Sequence, residues 1–146
     1  MLFRSSVRTG HAVRIGHGAD AMQEDDPYGL MRELAAKKIL IEIALSSNDM
    51  ILGVKGARHP LRTYLQYGVP VALVTDDYGV ARSSHTLEWL KAVQEQGLDY
   101  LTMKRMIRNS IEYSFADPQT KARLKQSLEN AFHQFEQQET AAAPRR

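Results

Sequence analysis

The sequence predicts an α/β fold in which three short parallel strands alternate with helices and are followed by a helical tail. Three short apolar runs occupy residues 12–15, 39–45 and 69–74, as expected of buried strands. Helical patterns separate these runs. Because strands joined through a helix lie side by side and run in parallel, this order predicts one three-stranded sheet with helices on one face.

Residues that favour helix ends mark the predicted helices. Asp26 followed by Pro27 favours a helix start, and Gly68 and Gly97 favour helix ends. The predicted helices span residues 27–38, 60–67, 86–96, 99–115 and a last segment from 118 onwards. In the last helix an apolar stripe is expected to be buried. That stripe comprises Leu124, Leu128, Phe132 and Phe135.

Length and composition limit the classes of protein that fit. The 146 residues suffice for one core, so we expect a single domain over residues 1–139 and a disordered tail over 140–146. A net charge of +2 with scattered Lys and Arg argues against nucleic-acid binding. No signal peptide or membrane span of ~20 apolar residues is recognised, which makes a cytoplasmic protein the default expectation. Without cysteine, a metal would need histidine and carboxylate ligands.

Polar side chains follow each predicted strand at its carboxyl end. Gly16-His17-Gly18 follows the first strand, Ser46-Ser47-Asn48 the second, and Thr75-Asp76-Asp77 the third. Ligands and reacting groups of parallel α/β proteins collect outside the carboxyl ends of the strands. The sequence therefore predicts one site at this edge, where adjacent carboxylates can hold a metal and a substrate.

Each of these residues also has a structural interpretation. Asp76 and Asp77 could form a turn that caps a helix, and His17 could be an incidental loop histidine beside flexible glycines. The strand-end serines and asparagine are expected mainly to satisfy backbone groups. We interpret His59 as a helix-start residue, and the remaining histidines as surface or packing groups.

Six segments together resemble the adenosine deaminase family, in their order and spacing as well as in their residues. The match covers about residues 13–134, and residues 75–82 are most similar to the branch of the adenosine deaminase-related growth factors and their bacterial relatives. The segments are Arg14-Ile15-Gly16-His17-Gly18, Ser46-Ser47-Asn48, His59-Pro60-Leu61, Gly68-Val69-Pro70, Thr75-Asp76-Asp77 and residues 108–115.

The resemblance implies a zinc-dependent aminohydrolase that converts adenosine or 2'-deoxyadenosine to the inosine form with release of ammonia. Asp76 matches the carboxylate ligand of Zn2+, and Asp77 matches the carboxylate that binds a ring nitrogen of the purine. His17 matches the histidine that orients and stabilises the metal-activated water. The resemblance thus assigns His17 and Asp76 to catalysis, Asp76 to the metal and Asp77 to the substrate.

The matched segments correspond to strands six to eight of the family's (β/α)8 barrel, so the expected fold is a partial TIM barrel. A His-x-His segment and a His-Ala-Gly-Glu segment, which supply the other zinc ligands and the catalytic glutamate in the family, have no counterpart in the sequence. A cysteine-proline pair of the family is replaced here by Ala44-Leu45.

Three hypotheses follow. The chain is an incomplete carboxyl-terminal portion of a deaminase, active with a complementing amino-terminal half; a non-catalytic binding or assembly module derived from that fold; or a different zinc hydrolase on the same barrel. Open strand edges of an incomplete barrel favour association with other chains, so a homo-oligomer is also expected.

Overall fold

The structure is a computed structural model that describes residues 2–142, except for the side chain of Leu2. It contains three strands and seven α-helices within this part of the chain. In chain order they are α1 (Leu2–Arg8), β1 (Arg14–Gly16), α2 (Pro27–Ala36), β2 (Leu40–Ile43), α3 (Leu45–Leu52), α4 (Leu61–Gln66), β3 (Val71–Leu73), α5 (His85–Gln96), α6 (Tyr100–Glu112) and α7 (Pro118–Ala142).

The strands form one parallel sheet in the order β1-β2-β3. Ile15 lies opposite Ile41 in the first pair, and Ile41 lies opposite Val71 in the second. Both strand pairs are joined through helices, which confirms the predicted β-α-β-α-β order. The outer strands β1 and β3 pair with no further strand among the described residues.

The two faces of the sheet differ in chemistry because side chains alternate along a strand. One face packs against the helices through a single buried cluster. On the other face, Arg14 of β1 donates from Nε to Glu42 of β2 over 2.7 Å. The cluster includes Ile41, Ile43, Val71 and Leu73 from the sheet and Val7, Leu30, Leu34, Leu61, Tyr64 and Met106 from the helices.

The predicted helix ends are confirmed in α2 and α5. Asp26 caps α2 by accepting the backbone N–H of Gly29 over 2.9 Å, and Pro27 occupies the first helical position. Gly97 follows α5 with a φ of 62°, in the left-handed region that glycine adopts without strain.

Two helices are not among the sequence predictions. Residues 2–8 form α1, whose Val7 joins the core. Residues 45–52 form α3 directly after β2, so Ser46, Ser47 and Asn48 lie in the first turn of a helix. Their polarity suggested a strand end, yet the same residue types are common at helix starts.

The chain divides into two compact units, Met1–Ser110 and Ile111–Arg146. In the second unit Lys121 donates to the backbone oxygen of Glu112 over 2.7 Å. The predicted buried stripe of α7 is wrong, because α7 has no buried residue: Leu124 and Phe135 are exposed, while Leu128 and Phe132 are half-buried. Within its unit this 25-residue helix has only the short preceding segment to pack against.

The predicted tail falls at the end of α7. The helix reaches Ala142, so residues 140–142 are helical, and residues 143–146 lie outside the described part of the chain. Disorder of the tail therefore stays a prediction. No helix within residues 2–142 combines the length and apolarity needed to cross a membrane.

The buried carboxylate of Glu88 connects α5 to the start of α3. It accepts the backbone N–H of Leu45 over 2.7 Å, and its other oxygen accepts from Ser46 N at 3.2 Å and from Ser83 Oγ at 2.6 Å. The first N–H groups of a helix have no partner within it and carry partial positive charge. Glu88 supplies the acceptor that the side chain of the N-cap residue, Ala44, does not.

We predict that Glu88→Gln lowers the free energy of unfolding by about 2 to 4 kcal/mol, because an amide NH2 cannot accept from the α3 donors. Urea denaturation measures this loss. Glu95→Gln, on the same helix, weakens a partly exposed pair with Lys91 and should cost less than about 0.5 kcal/mol. Equal losses in both variants would contradict the capping role.

Candidate functional site

Side chains from all three strand ends meet at the carboxyl edge of the sheet. His17 follows β1 directly, Asp76 follows β3, and Ser47 lies in the first turn of α3 after β2. Ser47 Oγ donates to Asp76 Oδ2 over 2.7 Å, and His17 Nε2 lies 3.7 Å from the same oxygen. The expected convergence of the strand-end residues is therefore what the structure contains.

His17 and Asp76 both adopt left-handed backbone conformations, with φ values of 63° and 53°. This region is unfavourable for residues with a Cβ atom and is concentrated at functional sites. The two residues that face each other across the sheet edge are thus held in uncommon conformations by their surroundings.

The carboxyl group of Asp76 is held ionised by its neighbours. The hydrogen bond from Ser47 is the largest cause that lowers its pKa, and burial opposes it. The nearby imidazole of His17 and the backbone of Asp77 lower the pKa further. A carboxylate in this state can accept hydrogen bonds or ligate a cation.

Behind His17 lies a buried polar pair, Asn48 and His59. Asn48 Oδ1 lies 2.9 Å from His17 Nδ1, and Asn48 Nδ2 lies 2.8 Å from His59 Nε2. Leu61 N donates to the other ring nitrogen of His59, Nδ1, over 3.1 Å. Burial lowers the pKa of His59 to about 4, although Glu95 and Glu88 partly oppose the shift.

The sequence interpretation covered these two residues only in part. His59 does precede α4, as expected of a helix-start residue, but it is also connected to His17 through Asn48. A buried histidine that is connected to His17 only through Asn48 leaves no local pattern in the sequence. Of the two residues, only Asn48 was expected near the site, because it was predicted to lie at a strand end.

Gly18 fits into a space with no room for a side chain. Its φ is 63°, and a Cβ atom there would lie 2.5 Å from Ile41 Cγ2 and 2.8 Å from the Tyr64 hydroxyl. That hydroxyl donates to Gly18 O over 2.7 Å and is buried. The backbone at Gly18 is therefore packed closely against its neighbours, whereas a Cβ at Gly16 would meet nothing within 4 Å.

An open cleft adjoins His17 on the side of α3. Asp77, the predicted substrate-binding residue, follows Asp76 and is exposed to solvent. The cleft is lined by His17, Asp20, Ser47, Asn48, Ile51 and Leu52. Its lining combines hydrogen-bonding and apolar side chains, which is the usual character of a small-molecule site.

The sequence matches a known protein family. The adenosine deaminase family model matches residues 2–131. The chain belongs to the adenosine deaminase family. This confirms the resemblance predicted from the motifs around His17 and Asp76.

Curated relatives come from several bacteria. The adenosine deaminase of Shewanella loihica is 39% identical over 113 residues, covering 76% of this chain and 33% of that enzyme. The aminodeoxyfutalosine deaminase of Streptomyces coelicolor is 32% identical over 119 residues, covering 81% of this chain and 30% of that enzyme. The chain thus spans about a third of the length of these curated relatives.

Solved structures share the fold. The structure of Arabidopsis ADAL complexed with IMP is 27% identical, with a TM-score of 0.69, and the match covers 81% of this chain and 34% of that one. A zinc-bound amidohydrolase from Burkholderia ambifaria, 19% identical, matches in fold with a TM-score of 0.81 over 94% of this chain and 38% of that one. The predicted partial TIM barrel with a helical tail is confirmed.

The described residues do not form a complete metal centre. Catalytic zinc takes three protein ligands and keeps an open position. Within residues 2–142, no group of three His, Asp or Glu side chains lies close enough to hold a metal ion. The carboxylate of Asp76 suits one ligand position, and any further ligands would have to come from outside these residues.

We predict that Gly18→Ala lowers the free energy of unfolding by about 2 to 4 kcal/mol, because it combines a left-handed φ with overlap on Ile41 and Tyr64. Gly68→Ala is the matched control, since Gly68 has a φ of 70° but open space around it, and should cost about 1 to 2 kcal/mol. Thermal or urea unfolding compares them. A Gly18 variant no less stable than the Gly68 variant would contradict the close approach.

We also predict that stability falls on acidification because of His59. Its pKa is about 4 in the folded state against an ordinary value of 6.5, so the unfolded chain takes up a proton before the folded chain does. The contribution is fully present above pH ~6.5 and is lost as the pH falls towards ~4, a change of about 3 kcal/mol.

Urea denaturation of the wild type and of His59→Gln across this pH range isolates the effect. The variant should be less stable at neutral pH and should depend less on pH. His133→Gln, which changes an exposed histidine of α7, should retain the wild-type slope. Parallel curves for the wild type and His59→Gln would show that His59 titrates normally.

Proposed function

We propose that the chain contributes the sixth to eighth βα units of an adenosine deaminase-type aminohydrolase, which replaces the amino group of a purine nucleoside by water and releases ammonia. The observation that carries this proposal is the meeting of His17 and Asp76 at the carboxyl edge of the sheet, fixed through Ser47. The family membership of the chain supports the reaction class.

Within that reaction the chain's own residues bind and orient. The carboxylate of Asp76 would provide one ligand for a Zn2+ ion, and its other ligands would come from outside the described residues. His17 lies 3.7 Å from this carboxylate and positions the water that attacks the purine. Asp77, which follows Asp76 and is exposed, binds a ring nitrogen of the purine.

The proposed substrate is adenosine or 2'-deoxyadenosine. The name of the Shewanella loihica relative supports adenosine, while the Arabidopsis neighbour was solved with IMP, a purine nucleotide. A purine carrying a sugar is common to both. The cleft beside His17 offers apolar surface from Ile51 and Leu52 against which a purine can pack.

A second candidate is a non-catalytic binding or assembly module derived from the same fold. Two observations favour it: the described residues hold no group of three metal ligands, and both outer strands lack a neighbouring strand within the described sheet. In this case the strand edges, and not the site, determine the function.

Conversion of adenosine to inosine, followed by ultraviolet absorbance with added Zn2+, distinguishes the two candidates. The chain is assayed alone and after co-expression with the amino-terminal two thirds of the Shewanella loihica enzyme. We expect turnover in the co-expressed complex and its loss in an Asp76→Asn variant. Asp25→Asn, which changes an exposed carboxylate before α2, should remain active.

Each outcome decides between the candidates. Turnover of the complex that depends on Asp76 supports the deaminase. Turnover by the chain alone would overturn the view that further ligands come from elsewhere. A folded complex that is inactive and fails to bind zinc would support the module.

A further inference from the structure

The contacts behind His17 determine which of its ring nitrogens carries a proton. A neutral imidazole has one N–H donor and one acceptor nitrogen, and the neighbours of the ring decide which is which. For His17 the neighbour at Nδ1 is the Asn48 side chain, at 2.9 Å. An amide can present either its oxygen or its NH2, so the direction of this bond depends on what else Asn48 binds.

The starting point is the backbone N–H of Leu61. Leu61 is the first residue of α4, so its N–H has no acceptor within the helix. It donates to His59 Nδ1 over 3.1 Å, and this nitrogen must therefore be unprotonated. His59 is 3% exposed and its pKa is lowered by burial, so the ring is neutral and its proton lies on Nε2.

That proton fixes the orientation of Asn48. His59 Nε2 lies 2.8 Å from the Asn48 amide, and an N–H at this position requires the amide oxygen as its acceptor. The structure has Asn48 Oδ1 at His17 and Nδ2 at His59, so this requirement exchanges the two ends of the amide, which are nearly identical in shape. The NH2 group of Asn48 then faces His17. In this orientation both ring nitrogens of His59 have a suitable partner, because Nδ1 accepts from Leu61 N and Nε2 donates to Asn48. In the opposite orientation an N–H group of His59 would face either the NH2 group of Asn48 or the N–H group of Leu61.

Asp76 supports the same assignment from the other side of the ring. If Asn48 donates to His17 Nδ1, the proton of neutral His17 lies on Nε2. Nε2 is the nitrogen 3.7 Å from Asp76 Oδ2, and an N–H next to a carboxylate is attractive. The alternative tautomer would direct a lone pair at this carboxylate.

We propose that Asn48 is a positioning residue: held by His59, it donates to His17 Nδ1 and so makes His17 present an N–H to the space beside Asp76. Its catalytic meaning rests on the proposed function, because a hydrogen-bond donor at Nε2 can orient a water through its oxygen. The tautomer itself is a property of the folded chain and does not depend on activity.

The test is the protonation pattern of the histidine rings in the 146-residue chain. Two-bond 1H–15N correlation spectra distinguish protonated from unprotonated ring nitrogens. They are recorded at about pH 8.5, some two units above the ordinary histidine pKa of ~6.5. We expect both His17 and His59 to carry their proton on Nε2. A proton on Nδ1 of His17, or an even mixture of the two tautomers, would overturn the proposal.

Two variants test the role of Asn48 itself. Asn48→Asp offers only acceptors, so His17 should move its proton to Nδ1 while His59 keeps Nε2–H. Asn109→Asp is the control, because Asn109 is also partly buried and donates to Val71 O over 2.9 Å, away from the site. It should leave His17 unchanged. An unchanged His17 in Asn48→Asp would contradict the proposal, and if that variant does not fold, the wild-type spectrum still decides.

The activity of the co-expressed complex gives a second readout. If the co-expressed complex is active, Asn48→Asp should lower kcat more than it raises KM. The variant removes the N–H donor at His17 Nε2, whereas aspartate has nearly the same size and shape as the asparagine that it replaces in the cleft. An equal fall in kcat of the Asn48→Asp and Asn109→Asp complexes would indicate a general loss of stability and would contradict a specific role of Asn48. Inactivity of every complex refutes the proposed function, while the spectra continue to test the tautomer.

Discussion

The buried carboxylate of Glu88 is the interaction on which the arrangement of the site depends. It accepts N–H groups at the start of α3, and the first turn of that helix carries Ser47 and Asn48. A buried carboxylate is costly unless donors surround it, and the unpaired N–H groups of a helix start need an acceptor. The Glu88 carboxylate and the N–H groups at the start of α3 therefore satisfy each other. Because Glu88 belongs to α5, which begins after the Asp76 loop, the capping contact also ties two strand ends together.

The first turn of α3 then acts as the central element between β1 and β3. Ser47 contacts Asp76 on one side, and Asn48 contacts His17 on the other. Both residues are 1% exposed, so their rotamers are restricted by packing as well as by hydrogen bonds. His17 and Asp76 are more exposed and have left-handed backbones. The buried pair of Ser47 and Asn48 thus holds the exposed pair of His17 and Asp76, and its hydrogen bonds and packing offset the cost of the left-handed backbones.

The sequence was informative where a local pattern has one physical cause. Apolar runs separated by helical patterns, together with helix caps such as Asp26, predicted the sheet and most helices. The tendency of functional groups to lie at the carboxyl ends of parallel strands predicted that His17 and Asp76 lie close together. It was uninformative where the cause lies far away in the chain. Glu88 looks like any charged residue of an amphipathic helix, and its role follows only from its position against α3. The predicted burial of the apolar stripe of α7 was wrong because an apolar face is buried only where another surface covers it.

The same reasoning explains why one part of the site is complete and another is not. Hydrogen bonds that orient His17 and Asp76 run through α3 and α4, which pack on the helix side of the sheet, and the described residues supply all of them. The described residues supply no group of three metal ligands. The sheet ends at β1 and β3, which have no further neighbouring strand among the described residues. The hydrogen bonds that fix His17 and Asp76 therefore come from the first turn of α3, whereas the outer strands leave the sheet open at both edges within the described residues.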